Sequence, residues 1–229
     1  ALHHAVCQGV QRFRIEALVE GYPFVAARIT RIDEPTQASP EAQALALQLH
    51  QRAAEVLTLV MGDTPAGRLH KRLTANGLAA ETWSWTPTLH DPGFMSFGAS
   101  LAPGQDVAAA QAALLATLEG VAKEPLTAEE VERARVKWLN GWEQQFTDPE
   151  RVGVAVSEFV SQGDWRLFFL LRDRVRNVKA ADVQRFASER LLVANRTLGA
   201  YLPTDQPPRS PAPAAADVAR EMKRFVPQP

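Results

Sequence analysis

The chain has 229 residues, of which 46% are hydrophobic and 22% charged, a balance typical of a globular protein that can bury a sizeable core. Its formal net charge of -1 argues against a nucleic-acid groove or an anionic-membrane patch, because both need clustered positive charge. The single cysteine, Cys7, excludes an intramolecular disulfide and any zinc site built from two or more cysteines.

The first half of the chain carries alternating strand and helix patterns. Apolar and polar residues alternate over 10–15, which is typical of a half-buried strand, and we expect this strand to pair with the next in antiparallel fashion. From residue 41 apolar residues recur at three- and four-residue spacing, which predicts an amphipathic helix. The predicted elements are strands over 10–15 and 24–32, helices over 41–60 and 66–75, and strands over 79–86 and 93–101.

The second half is predicted to be helical and to end in a strand. Thr127 and Glu130 have the spacing of a capping box at a helix start, and Asp148-Pro149 is a second start signal. The predicted elements are helices over 106–122, 127–146, 165–176 and 180–191, one starting at 148–150, and a strand over 197–202. This order indicates an α+β fold, a mostly antiparallel sheet with helices packed on one face. A Pro-rich tail over 205–229 follows.

Several phrases of the sequence, spread in one consistent order over about residues 54–204, carry a family resemblance. They include Gly62-Asp63-Thr64-Pro65-Ala66-Gly67-Arg68-Leu69, Leu126-Thr127-Ala128-Glu129-Glu130-Val131, and Gly163-Asp164-Trp165-Arg166-Leu167-Phe168-Phe169. Together they resemble the non-catalytic second domain of the insulinase/pitrilysin family of zinc peptidases. The resemblance implies an insulinase-type domain fold and a structural or peptide-enclosing role beside a separate zinc-bearing peptidase domain or subunit.

A shorter resemblance covers about residues 2–58. It is carried by Cys7-Gln8-Gly9-Val10-Gln11-Arg12-Phe13-Arg14-Ile15, Glu20-Gly21-Tyr22-Pro23-Phe24 and Ile32-Asp33-Glu34-Pro35, which are similar to part of the N-terminal substrate-binding domain of the Lon protease family. We therefore expect one hybrid domain over 1–204, with a Lon-like segment over 1–58 and an insulinase-type segment over 59–204. The join would come from a natural fusion or from laboratory recombination.

The residues that zinc peptidase chemistry needs are missing from the sequence. Catalysis in the insulinase-type family uses two histidines and a glutamate in an H-x-x-E-H motif on one helix. No two of the five histidines have that spacing; they are His3, His4, His50, His70 and His90. The places of a helper arginine and tyrosine carry Leu73 or Thr74 and Ala80. We expect no catalytic, metal-binding or cofactor-binding residue, and no proteolysis by the chain alone.

Three residues are candidates for contact with a peptide: Trp83, Trp85 and Arg68. The two tryptophans are two apart on a predicted strand and so share one face, either buried against the helices, which we expect, or exposed to an unfolded peptide. Arg68 could instead pair with a carboxylate and fix the short helix. The other aromatic residues at helical spacing are interpreted as core; they are Trp138, Trp142, Trp165, Phe168 and Phe169.

Three functions remain open from the sequence. The first is a non-catalytic domain of a zinc metallopeptidase-like protein, which predicts association with a zinc-bearing half. The second is a Lon-type module that recognises unfolded protein without any metal. The third is a fold hybrid without an evolved activity. None of the three calls for a nucleic-acid or membrane partner.

Overall fold

A five-stranded sheet organises the described part of the chain. The computed structural model describes the backbone of residues 11–17 and 24–30, and residues 52–87, 89, 93–203, 220, 222–223 and 225–226. The strands are β1 (Gln11–Ala17), β2 (Phe24–Thr30), β3 (Glu81–Trp85), β4 (Phe94–Ser100) and β5 (Arg196–Pro203). Their order is β1-β5-β2-β4-β3, with β1 parallel to β5 and the other three pairings antiparallel. The prediction of an α+β fold with a mostly antiparallel sheet is confirmed.

One predicted pairing is wrong. The first two strands were expected to be neighbours, but β5 lies between them, so that Phe13 and Ala26 both lie opposite Gly199. The local patterns that identified each strand carry no information about which strand lies beside it. Here the last of the described strands, about 170 residues further along, takes that place.

Besides short 3-10 turns, seven helices accompany the sheet between residues 52 and 190. The described part of α1 is 52–62, and α2 covers 68–74 with a π-helical turn at His70–Thr74. The others are α3 (Val107–Glu119), α4 (Ala128–Gln144), α5 (Pro149–Ser161), α6 (Leu167–Arg176) and α7 (Ala180–Arg190). None of the helices described is long and apolar enough to cross a bilayer.

The helices pack on the sheet face that carries Met95, Phe97 and Ala99, all three of which are fully buried. Phe94, Ser96 and Ser100, which belong to the alternate set of positions in β4, are half-buried, because successive residues of a strand point to opposite faces. The core on the helix side includes Val56 and Leu57 of α1, Leu114 and Leu118 of α3, and Val183 and Ala187 of α7. We call the opposite side of β3 and β4 the open face; its residues are Glu81, Trp83, Trp85, Phe94, Ser96, Gly98 and Ser100.

Side-chain caps fix several helix starts where the sequence predicts them. Thr127 accepts from the backbone N–H of Glu130, while the Glu130 carboxylate accepts from the N–H of Thr127. Asp148 accepts from the N–H of Glu150 ahead of Pro149. Each cap satisfies a backbone donor that lacks a partner within the first helical turn, so these local signals located the starts to within about two residues.

The cap of α3 provides a test of this local control. Asp106 Oδ1 accepts from the N–H groups of Ala108 and Ala109 at 2.8 and 3.1 Å. We expect Asp106→Ala to lower the free energy of unfolding by about 1 kcal/mol, measured by urea denaturation, because two donors lose their acceptor. Asp106→Asn keeps an acceptor oxygen and should stay within about 0.5 kcal/mol of the parent chain. Equal losses in the two variants would contradict the capping role.

Two sequence predictions extend beyond the described residues. The N-terminal part of the helix over 41–60 lies outside them, and so does the tail over 205–229 apart from residues 220, 222–223 and 225–226. The hybrid domain over 1–204, with its segments 1–58 and 59–204, stays a prediction. Backbone pairing does place β1 and β2, from the Lon-like segment, in one sheet with β4 and β5.

Candidate functional site

Trp83 and Trp85 lie on the open face, and the expectation that they are buried against the helices is wrong. Trp85 is 55% exposed and Trp83 is half-buried. The Trp83 ring lies over Gly98, directly across the strand pairing, where an added β-carbon would collide with the indole. Trp85 makes an edge-to-face contact with Phe94, with ring centroids 5.3 Å apart. The two tryptophans therefore form an aromatic surface with Phe94 on the side of the sheet away from the helices.

Small residues explain why the tryptophans point outward. Ser84 faces α1, where its Oγ donates to the carbonyl of Thr58 at 2.9 Å. Gly62 of the same helix lies so close that a β-carbon there would collide with Ser84. Indole rings could not fit into so close a contact, and the alternation of the strand then sends Trp83 and Trp85 to the other face. The two-residue spacing of Trp83 and Trp85 correctly predicted that they share one face of the sheet, but it could not predict which face.

The aromatic surface lies at the edge of the sheet. Among the described strands, β3 is outermost and pairs on one side only, with β4. Its five residues include neither a lysine nor a proline, which are common means of blocking an edge against further strands. The outer edge of β3 therefore combines a row of backbone donors and acceptors with a half-exposed indole.

Arg68 holds α2 to the start of α4. It is 9% exposed, and its Nε and Nη2 donate to the two carboxylate oxygens of Glu130 at 2.8 and 2.7 Å. Its Nη1 and Nη2 also donate to the backbone carbonyls of Glu124 and Pro125. These four hydrogen bonds support the alternative that Arg68 pairs with a carboxylate, and contact of Arg68 with a peptide stays a prediction.

The pKa of Glu130 reflects this arrangement. Burial by itself would raise the pKa of the carboxyl, but hydrogen bonds from Arg68 and from the N–H of Thr127 outweigh it and lower the pKa from 4.5 to about 2. The same carboxylate thus closes the capping box and neutralises a buried guanidinium. It remains charged throughout the neutral range.

The free energy of unfolding should therefore depend on pH through the ionisation of Glu130. A carboxyl whose pKa is lower in the folded chain stabilises it above the unfolded pKa, and that contribution is lost as the pH falls towards the folded pKa. With values of 4.5 and about 2, the loss between pH 7 and pH 3 is about 2 kcal/mol. We expect urea denaturation to show that Glu130→Gln, although less stable at pH 7, loses about 2 kcal/mol less than the parent chain over this interval. Parallel losses in the two proteins would contradict the linkage.

The described residues do not fit a zinc site. Among them no group of three histidine, cysteine, aspartate or glutamate side chains lies close enough to hold a metal ion. His70 belongs to α2, and the other histidines, His3, His4, His50 and His90, lie outside the described residues. At the helper places Leu73 is fully buried, the alternative Thr74 is half-buried with a hydroxyl in place of a guanidinium, and Ala80 has no polar side chain. Neither Leu73 nor Ala80 could polarise a substrate carbonyl.

The aromatic residues of the helical layer are mostly core, as predicted. Trp142 is 7% exposed and packs on Phe168 with ring centroids 5.1 Å apart, while Arg172 lies 4.7 Å above the indole. Trp165 is the exception, since it precedes α6 and is 52% exposed, with an edge-to-face contact to Phe169 at 5.8 Å. The prediction of core packing is wrong for Trp165, because that residue lies in the turn before the helix rather than on its inner face.

Known proteins resemble this chain over most of its length. The profile of the family described as "Peptidase M16 inactive domain" matches residues 30–137. A Bordetella parapertussis structure titled "Inactive Peptidase Domain of a Putative Zinc Protease" is 44% identical, with a TM-score of 0.68, over 85% of this chain and 97% of that one. A protease structure from Helicobacter pylori shares the fold alone, at 18% identity and a TM-score of 0.71, over 86% of this chain and 45% of that one.

A second relationship involves a much smaller part of a longer protein. The Lon protease of Paraburkholderia phytofirmans is 45% identical over 83 residues, which are 35% of this chain. The chain spans about a tenth of the length of that relative, since the match covers 10% of it. The partial resemblance to Lon proteases predicted from the sequence is confirmed at this level.

Proposed function

The chain belongs to the M16, or insulinase-type, peptidase family as an inactive domain, and from that premise we propose that it pairs with a zinc-bearing peptidase domain or subunit and helps to enclose a peptide there. In this arrangement the zinc-bearing half performs the hydrolysis. The present chain contributes surface and rigidity rather than reacting groups.

One observation carries the proposal: the similarity extends over nearly the whole of the Bordetella parapertussis domain described as the inactive peptidase domain of a "putative zinc protease". An identity of 44% over 97% of that domain indicates that the two domains share one architecture. The open face supports an enclosing role, because none of the helices described covers it and it presents Trp85 and Phe94. Peptides bind well to such rigid aromatic surfaces, since the rings bury a large apolar area at low entropic cost.

The test is reconstitution with a zinc-bearing partner. The part of the Bordetella parapertussis protease that lacks its inactive domain would be mixed either with that domain or with this chain, and hydrolysis of a quenched fluorescent peptide would be followed with zinc and with a chelator. We expect chelator-sensitive hydrolysis with either addition and none with this chain alone. If the native domain restores hydrolysis and this chain neither restores it nor binds the zinc-bearing part, the pairing proposal is wrong.

The Lon relationship supports a second candidate, a module that recognises unfolded protein without a zinc-bearing half. The supporting observation is the 45% identity over 83 residues. The two candidates differ in what they require. The Lon-type module should bind a permanently unfolded protein, such as reduced and carboxymethylated lactalbumin, with no metal and no partner, whereas a domain that only pairs with a zinc-bearing half should bind that half and leave the unfolded protein unbound.

A further inference from the structure

We propose that Arg52 of α1 and Arg174 of α6 together bind a tetrahedral oxyanion of the phosphate class. Both residues belong to the helical layer, on the other side of the sheet from the open face. The site is therefore separate from the aromatic surface, and it is not used by the proposed pairing or peptide-enclosing role.

The guanidinium groups of Arg52 and Arg174 each contain a buried donor without an acceptor. The Nε atom of each is buried, and neither atom donates a hydrogen bond within the described part of the chain. Buried polar atoms of proteins are nearly always paired, because an unpaired donor has lost its water and gained nothing in exchange. An anion bound between the two side chains would supply both of the acceptors.

Asp182, in the first turn of α7, supplies too little negative charge for this cluster. Its Oδ2 lies 3.6 Å from Nη2 of Arg52, which is longer than a hydrogen bond. The same carboxylate accepts from Nη2 of Arg185 at 3.0 Å and from the backbone N–H of Lys179 at 3.3 Å. One carboxylate is thus shared between Arg52 and Arg185, and it leaves the charge of Arg174 without a partner.

The pKa of Arg174 shows the same excess of positive charge. The pKa is lowered from its usual value, first because burial disfavours the charged form and second because the charge of Arg52 lies nearby. The carboxylate of Glu55, one turn further along α1, accepts from the indole N–H of Trp138 at 3.1 Å. A partly buried cation beside a second cation is costly, and an anion that joins them removes both the repulsion and the cost of burial.

The chemistry of the two side chains favours phosphate over a carboxylate. A guanidinium presents its donors as a planar fork that matches two oxygens of one anion. A carboxylate has two oxygens and one charge, which a single fork takes up. A phosphate group has oxygens for two forks and a charge of about -1.5 to -2 at neutral pH. The side chain of Arg52 is 17% exposed and Arg174 is half-buried, so a small ion can reach both from solvent.

The experiment is a phosphorus NMR titration of inorganic phosphate with the full chain, at pH 7 in a chloride buffer of constant ionic strength. Bound phosphate exchanges with free phosphate and broadens its resonance until the site is saturated. We expect saturable broadening with the parent chain. Acetate, added as a competitor, should bind at least about tenfold more weakly than phosphate, because it can engage one fork only.

The variants Arg52→Gln and Arg174→Gln each remove one charge, and Arg176→Gln is their matched control. Arg176 belongs to the same helix as Arg174, but its side chain is 53% exposed and pairs with Asp173. We expect each of the first two variants to weaken phosphate binding at least about tenfold, and the control to change it less than about twofold. Circular dichroism verifies the fold of each variant, and either of the first two suffices for the comparison.

Urea denaturation gives a second readout. Phosphate should raise the midpoint of the parent chain and of Arg176→Gln, because a ligand that binds only the folded state stabilises it. It should raise the midpoint of Arg174→Gln much less, whereas a general salt effect would raise all three alike.

A folded parent chain that shows no saturable phosphate binding would overturn the inference. So would an equal loss of binding in Arg174→Gln and Arg176→Gln, since binding would then depend on overall charge rather than on this pair. If acetate bound as tightly as phosphate, the phosphate assignment would be wrong, and the two arginines would suit a carboxylate supplied by another protein.

Discussion

Arg68→Ala should lower the free energy of unfolding by about 3–5 kcal/mol, because it leaves the Glu130 carboxylate charged and uncompensated where both side chains are largely buried. The side chains are 10% and 14% exposed, so water can replace little of what the guanidinium supplies. Two backbone carbonyls, those of Glu124 and Pro125, also lose their donor. Equilibrium urea denaturation at pH 7 measures the loss.

Arg166→Ala is the matched control for that variant. Arg166 also pairs with a carboxylate, that of Asp164, but its side chain is 74% exposed. Exposed pairs contribute little because water screens both charges, so we expect a change within about 0.5 kcal/mol. If the two arginine variants lost the same free energy of unfolding, burial could not be the reason that the Arg68–Glu130 pair stabilises the fold.

Phe97→Ala is expected to cost about 3–5 kcal/mol, since the ring is fully buried between the sheet and the helices and its loss leaves a cavity. Phe94, three residues earlier in the same strand, is half-buried on the open face. We expect Phe94→Ala to cost less than half as much, because water can occupy the space that the ring leaves. Comparison of the two variants by urea denaturation shows which face of β4 packs against the core.

The reverse order of these two losses would contradict the assignment of the faces. It would place the core on the side of Trp83 and Trp85 and so remove the aromatic surface that they form with Phe94. Tryptophan fluorescence gives a second reading of the same question. Phe94→Ala should change the emission of Trp85, its edge-to-face partner, more than Phe97→Ala does.

The sequence predicted those parts of the fold that depend on near neighbours in the chain. The helix starts at Asp106, Thr127 and Asp148 are set by residues two or three positions away, and a reader of the sequence sees both members of each interaction. The α+β class followed in the same way from the change of apolar period between strands and helices. The absence of the zinc motif could also be recognised from the sequence, because the motif is defined by the spacing of its histidines.

The parts that were missed depend on residues far apart in the chain. The partner of Arg68 lies 62 residues away, so the sequence could suggest a carboxylate but not name Glu130. The orientation of Trp83 and Trp85 depends on how closely α1 approaches Ser84, which no local pattern records. The pairing of β1 with β5 joins segments nearly the whole chain apart.

That last pairing constrains the order of events during synthesis on a ribosome. Among the described strands β1 has β5 as its one neighbour, and residues 11–17 align with 197–203. Residues 11–17 must therefore wait for this neighbour, with backbone groups exposed to water or to a chaperone, until residues 196–203 have emerged. β2 can pair with β4 once residue 100 is out, but its second neighbour is also β5. Completion of the sheet is thus a late step, triggered by the arrival of a single strand.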